Sequence, residues 1–235
     1  ARDTVLDRTV AVKLINQPIA ADQPYLEALQ REARLAARLE HSNITSVYDF
    51  QVEDGQPFIV MEYVPDSLDK HMSGGKKLPQ RRALEIAIQI CRALSHAHKA
   101  GIIHRDIKPQ NILMDGLNPK LADWGIAKVP GLGTIVGTGN FRGTYIYASP
   151  EQVTGKSDLD GRSDIYSLGI VLYELLSGAP PWDDVEHENV IIQRHMNGEP
   201  VPELPSSVDV PEKMRRIVNR CIRHDKADRY QSPQD

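Results

Sequence analysis

Residues 104–111 read His-Arg-Asp-Ile-Lys-Pro-Gln-Asn, and Asp123-Trp124-Gly125 follows, so two acids, a lysine and an amide fall within about twenty residues. An aspartate here can accept the proton of a hydroxyl nucleophile, and Lys108 can neutralise a moving phosphoryl group. Asn111 and Asp123 offer the hard oxygen donors that suit Mg²⁺. The chemistry these types support is transfer of a phosphoryl group from a metal-bound triphosphate to a hydroxyl.

Residues of this kind need a frame to hold them, and 235 residues suffice for one large domain or two small lobes. With 40% hydrophobic and 26% charged residues the composition is that of an ordinary soluble globular protein. A net charge of −4 argues against nucleic acid as a partner, since such domains are usually basic. Cys91 and Cys221 stand far apart without metal-ligand neighbours and read as free core thiols. No apolar stretch approaches the roughly 18 residues of a membrane span, and no signal-peptide pattern precedes Ala1. The expected compartment is the cytoplasm.

Residues 9–15, rich in β-branched types, predict a strand; residues 24–39 predict a helix with Leu26, Leu29, Ala33, Ala36 and Leu39 at helical spacing. Two strands follow at 44–50 and 57–64 around the turn at 53–56, and this β-rich part ends near Pro65-Asp66-Ser67. Beyond it residues 81–99 predict a helix with Leu84, Ile88, Cys91, Leu94 and His98 on one stripe, closed by Gly101. Residues 123–151, rich in Gly and Thr, read as a mobile loop. Residues 163–177 are apolar nearly all round, as in a buried helix, until Pro180-Pro181-Trp182 stops it. The Pro-rich stretch 200–211 reads as a linker, and 212–224 as an amphipathic helix. His96 and His98 cannot share a helix face and read as packing or surface groups, not metal ligands.

The run His-Arg-Asp-x-Lys-x-x-Asn with Asp123-Trp124-Gly125 resembles the protein kinase family, and the resemblance extends almost from end to end. The wording of residues 101–113 is similar to bacterial, eukaryotic-like (Hanks-type) serine/threonine kinases. What the resemblance implies is an α+β, two-lobed fold in a single domain, residues 1–235, with a β-rich lobe over 1–64 and a helical lobe over 65–235. It implies Asp106 as catalytic base, Lys108 as stabiliser, and Asn111 and Asp123 as Mg²⁺ ligands. ATP would be held by Lys13, paired with Glu32, by Ala11 and Leu113 about the adenine, and by backbone groups of Glu62 and Val64 at a hinge with Met61 as gatekeeper. Thr144 matches the threonine that bridges base and lysine in serine/threonine kinases, and protein substrates are the implied partners.

The same resemblance puts His104 beneath the metal-binding triplet, Glu151 on Arg229, and Asp164 on the backbone of the catalytic loop. Arg105 and Lys128 would meet a phosphate on Thr138, with Thr134 a second modification site, and a homodimer would phosphorylate itself. Trp124 departs from the family's phenylalanine; small Ala36, one helical turn from Glu32, would make room for it in a column with His104 and Val47. Gln110 stands where some basophilic kinases carry a glutamate, which speaks against a strong demand for basic target sites.

Two look-alikes fail. Gly155-Lys156-Ser157 lacks the earlier glycine of a P-loop, and the glycines of 137–143 are misspaced and lie after the metal-binding triplet. No glycine precedes Lys13, so the chain reads as a domain trimmed at both ends, without the phosphate-covering loop. A pseudokinase-like binding module and a small-molecule phosphotransferase are the alternatives. The retained Lys13, Glu32, Asp106, Asn111 and Asp123 oppose the first; Ser149-Pro150-Glu151 and the Asp164 helix oppose the second.

Overall fold

A computed structural model describes residues 1–15, 23–124, 144–155, 158–183, 185 and 187–235. Its first part is an antiparallel sheet of β1 (Arg2–Asp3), β2 (Arg8–Leu14), β3 (Val47–Glu53) and β4 (Gln56–Glu62), in the order β1-β2-β4-β3. Asp54 (φ 50) and Gly55 (φ 76) join β3 to β4 in a two-residue turn, with Glu53 opposite Gln56. Both left-handed angles suit the turn that matches strand twist, and Asp and Gly tolerate them. The helix α1 (Gln23–Ala36) lies against this sheet and buries Leu29, Ala33 and Ala36, spaced four and three apart as a core-facing stripe should be.

The expected strand at 44–50 starts later, at Val47. Residues 43–45 leave the sheet because their backbone is engaged elsewhere: Leu121 N–H donates to Asn43 O (2.8 Å) and Thr45 N–H to Leu121 O (3.1 Å). Asn43 is buried, and its Nδ2 lies 3.0 Å from Gln89 Oε1, 2.9 Å from Asn118 Oδ1 and 2.8 Å from Pro119 O. The β-rich part is thereby stitched to the second part of the chain.

That part holds α2 (Leu68–Met72), α3 (Gln80–Lys99) and a small sheet of β5 (Asp66–Ser67), β6 (Ile112–Asp115) and β7 (Asn118–Leu121). It continues through α4 (Thr144–Tyr147), α5 (Pro150–Val153), α6 (Arg162–Ser177), α7 (Glu188–Met196) and α8 (Glu212–Cys221). As expected, α6 is buried from Ser163 through Tyr173, and Gly178 (φ 91) ends it in the left-handed cap. Among the described residues no helix is long and apolar enough to cross a membrane.

Three expectations need correction. The buried face of α3 is Ala83, Ile86, Ala87, Ile90, Ala93, Leu94 and Ala97, whereas Leu84 and Ile88 are exposed. Of the expected stripe Leu94 is buried, beside four alanines that permit a close approach of neighbouring elements. The loop reading of 123–151 fails at its end, where α4 and α5 form, and residues 125–143 lie outside the described residues. Finally, the Pro-rich 200–211 stretch is no free linker. Val201, Leu204 and Val208 are buried, and Arg215 donates to Leu204 O (2.5 Å), Pro205 O (2.6 Å) and Val208 O (2.7 Å).

The expected Glu151–Arg229 pair is present. Arg229 Nη1 and Nη2 donate to Glu151 Oε1 (2.7 Å) and Oε2 (2.9 Å), both side chains being buried, and Ser163 Oγ adds a bond to Oε1 (2.7 Å). Burial pushes the Glu151 carboxyl up, but the bonds and charge of Arg229 outweigh it and leave the pKa at about 2. Since the folded value lies below the unfolded one, the stabilisation is complete above about pH 4.5 and disappears as pH falls towards 2. Urea melts should show this acid loss in the native protein. At neutral pH, Arg229→Met should cost about 3–5 kcal/mol by stranding the Glu151 charge; a change under 1 kcal/mol would contradict that account.

Candidate active site

Residues 102–111 run from α3 to β6, and three interactions shape them around Asp106. A single turn at Pro109–Asn111 turns Asn111 back, so that its Nδ2 donates to Asp106 O (2.7 Å) and to Asp106 Oδ2 (2.8 Å). The Lys108 ammonium lies 3.2 Å from the same carboxylate oxygen. From behind, Asp164 at the start of α6 accepts His104 N–H on Oδ2 and Arg105 N–H on Oδ1, each at 2.9 Å. Arg105 sits between these restraints at φ 66, a left-handed angle that a non-glycine residue keeps only when its surroundings impose it. Gln152 of α5 donates to Arg105 O (2.8 Å), joining the loop to the segment that carries Glu151.

His104 is fully buried. Its Nδ1 accepts Asp106 N–H (3.2 Å), which makes Nε2 the donor to Ala122 O (2.8 Å). Burial holds this imidazole below its ordinary pKa, so it is a neutral bridge between the two acidic segments. Its ring meets Trp124 edge to face, with centroids 4.7 Å apart. Trp124 is itself buried, and its indole N–H donates to Leu121 O (3.2 Å). Asp123, at φ 64, follows Ala122, whose N–H donates to Asn111 O (2.9 Å). Asn111 and Asp123 are therefore tied together through one hydrogen bond.

Lys13 reaches this cluster from β2, its ammonium 2.8 Å from Asp123 Oδ1. The expected Lys13–Glu32 pair is absent among the described residues. The Lys13 ammonium is found on Asp123 instead, while Glu32 stands part-buried on α1. Ala11 pairs opposite Met61 across β2 and β4, and Met61 is buried, so the expected adenine wall and gatekeeper adjoin. Leu113 is part-buried on β6, opposite Ser67 and Lys120.

Residues 1–234 match the family described as protein kinase domain. The chain belongs to the protein kinase family. It is 38% identical over 237 residues to serine/threonine-protein kinase PrkC of Bacillus subtilis, covering 100% of this chain and 36% of that protein. It is 38% identical over 241 residues to serine/threonine-protein kinase PknB of Mycobacterium leprae, covering 99% of this chain and 38% of that protein. The solved kinase domain of Mycobacterium tuberculosis PknI superposes with a TM-score of 0.72 at 32% identity, covering 96% of this chain and 81% of that one. The chain thus spans little more than a third of the length of the curated relatives it matches.

The expected hinge residues carry restraints that motif reading did not foresee. Glu62 Oε1 lies 2.7 Å from Lys120 Nζ on β7, Glu62 Oε2 accepts Ser46 N–H (3.2 Å), and Glu62 N–H donates to Ser46 O (2.9 Å). No hydrogen bond engages Val64 among the described residues, which leaves its amide open. Thr144 opens α4, while Lys128, Thr134 and Thr138 lie outside the described residues. His98 was expected only to pack or face solvent; instead its Nε2 lies 2.8 Å from Asp164 Oδ2. A His on the last turn of a helix gives no sequence signal of a partner so far along the chain.

Ala36 and Trp124 are both buried in the common core, and Val47 packs against it. Ala36→Leu should overpack this region by about 1–3 kcal/mol and lower phosphotransfer. Paired thermal melts and initial rates would check it; native-like values for both would reject the role given to Ala36.

Proposed function

We propose that this domain, residues 1–235 with lobes meeting near Val64, transfers the γ-phosphoryl group of ATP to Ser or Thr hydroxyls of proteins in the cytoplasm. The observation that carries the reading is the convergence of Lys108 Nζ and Asn111 Nδ2 on Asp106 Oδ2, with the Asp123 segment bonded to the Asn111 backbone. Asp106 accepts the acceptor hydroxyl's proton, and Lys108 beside it stabilises charge on the transferring group.

The donor set fits Mg²⁺. Asn111 spends Nδ2 on Asp106, so Oδ1 is its remaining ligand, and Asp123 supplies carboxylate oxygen. Among the described residues no group of three His, Cys, Asp or Glu forms a closed metal cage. That suits an ion held by one or two protein oxygens together with phosphates. When bound, Mg²⁺ neutralises charge on the phosphates. Lys13 supplies the cation for the α- and β-phosphates, and Ala11, Met61, Glu62, Val64 and Leu113 form the adenine site. Glu32 is the alternative partner of Lys13.

Thr144 supports Ser/Thr acceptors, and Gln110 supports targets without an obligatory basic residue. Phosphate on Thr134 or Thr138, delivered by a second copy and met by Arg105 and Lys128, completes the reading as its regulation.

With labelled ATP and Mg²⁺, label should enter a Ser/Thr-containing protein acceptor, and Asp106→Asn should reduce the rate at least about 100-fold. Transfer that ignores Asp106, or that goes only to small-molecule hydroxyls, would overturn the proposal.

A further inference from the structure

The carbonyl of Arg105 and the N–H of Asp106 belong to one peptide plane, which leads directly into the proposed base. Its N–H donates to His104 Nδ1 at 3.2 Å, and its carbonyl accepts Gln152 Nε2 at 2.8 Å. The tighter hold is on the carbonyl. Arg105 enters this peptide at φ 66, an angle that costs a residue with a side chain, so the plane does not rest there unaided.

The donor belongs to a side chain with a second task. Gln152 is the third residue of α5, and its Oε1 accepts both the N–H and the hydroxyl of buried Ser149, each at 3.0 Å. An N–H cannot accept and a carbonyl cannot donate. These contacts therefore leave one orientation for the amide, oxygen to Ser149 and nitrogen to Arg105. At this place in a helix start Glu reaches back to the cap as well as Gln does. Only Gln can hold the cap with one atom and donate with the other. Its neighbour Glu151 is clamped by buried Arg229, so the side chain of Gln152 springs from a fixed backbone. We infer that Gln152 is a positioning residue for catalysis: its amide nitrogen fixes the Arg105–Asp106 peptide, and so the Asp106 carboxylate. The kinetic consequence rests on the phosphotransfer reading above; the structural consequence does not.

The test compares Gln152→Glu with Gln152→Met by amide hydrogen exchange, urea melts and steady-state kinetics. Glu keeps the acceptor for Ser149 and loses the donor, whereas Met loses both. In Gln152→Glu, exchange at Asp106 should quicken roughly fivefold or more, while protection at Ser149 and the urea midpoint stay native. At about pH 8, kcat should fall about tenfold or more with KM for ATP unchanged. Lowering the pH towards about 5.5 protonates the new carboxyl, whose O–H then donates to Arg105 O. Its kcat relative to the native protein at the same pH should therefore climb. In Gln152→Met that ratio should stay low at every pH, and protection at Ser149 should be lost with that at Asp106.

Native exchange at Asp106 and native kcat in Gln152→Glu would overturn the inference. So would a low kcat that comes with lost protection at Ser149, which would make Gln152 a cap of α5 and nothing more. A kcat ratio that stays flat with pH in the Glu variant would overturn it too. If either variant does not fold, the other decides through the Asp106 amide. Should the native protein transfer no phosphate, the phosphotransfer reading fails by itself and exchange at Asp106 alone decides the role of Gln152.

Discussion

The carboxylate of Asp164 sits in the first turn of a helix buried on nearly every side, and it accepts hydrogen bonds from His98, His104 and Arg105. An anion is favoured there by the dipole of the helix start. Because α6 cannot shift without disturbing the core, whatever hangs from Asp164 is fixed relative to that core. Its neighbours on the helix extend the same frame. Ser163 donates to Glu151, and Ser167 donates to Tyr147 O (2.8 Å). The loop 102–111, α4 and α5 thus share one rigid support, although the loop is far from the two helices in sequence.

Between the two acidic segments the buried group is neutral and the charged ones lie nearer the surface. His104, which bonds both acidic segments, is neutral because it is buried, whereas Asp106 and Asp123 keep partly exposed carboxylates beside Lys108 and Lys13. The left-handed Arg105 and Asp123 fall on either side of this buried imidazole. Such angles persist when neighbouring bonds over-determine them. At Arg105 those bonds are Asp164 to its N–H and Gln152 to its carbonyl.

What could be read from the chain was the local chemistry. Asp106, Lys108, Asn111 and Asp123 lie close in sequence, their types limit the chemistry, and the structure brings their segments together. The apolar α6 and the 53–56 turn were equally legible, since periodicity and turn chemistry are short-range. The stripe on α3 was misread because two apolar sets share that helix, and only the shape of its neighbours selects the alanine-rich one. The β6–β7 hairpin was missed despite Asp115-Gly116 between apolar runs, a signal overshadowed by the motif just before it. His98 on Asp164, Lys120 on Glu62 and Asn43 on the hairpin were illegible for a different reason. Each joins residues distant in sequence, and no spacing rule relates them.

Lys13 shows where sequence pairing rules stop. The expected partner of its ammonium was Glu32 on α1, and it is found on Asp123. That pair is more than a third exposed on the lysine side, and ion pairs of this kind contribute only about 0–1 kcal/mol. The bond to Asp123 therefore offers little resistance to exchange. The neighbouring attachments are of another order: Asn43 is buried with three acceptors at its amide, and the backbone of 43–45 is bonded to β7. Of the connections between the β-rich part and the catalytic loop, the cheap one is the lysine's choice of carboxylate and the costly ones are the stitches at 43–45.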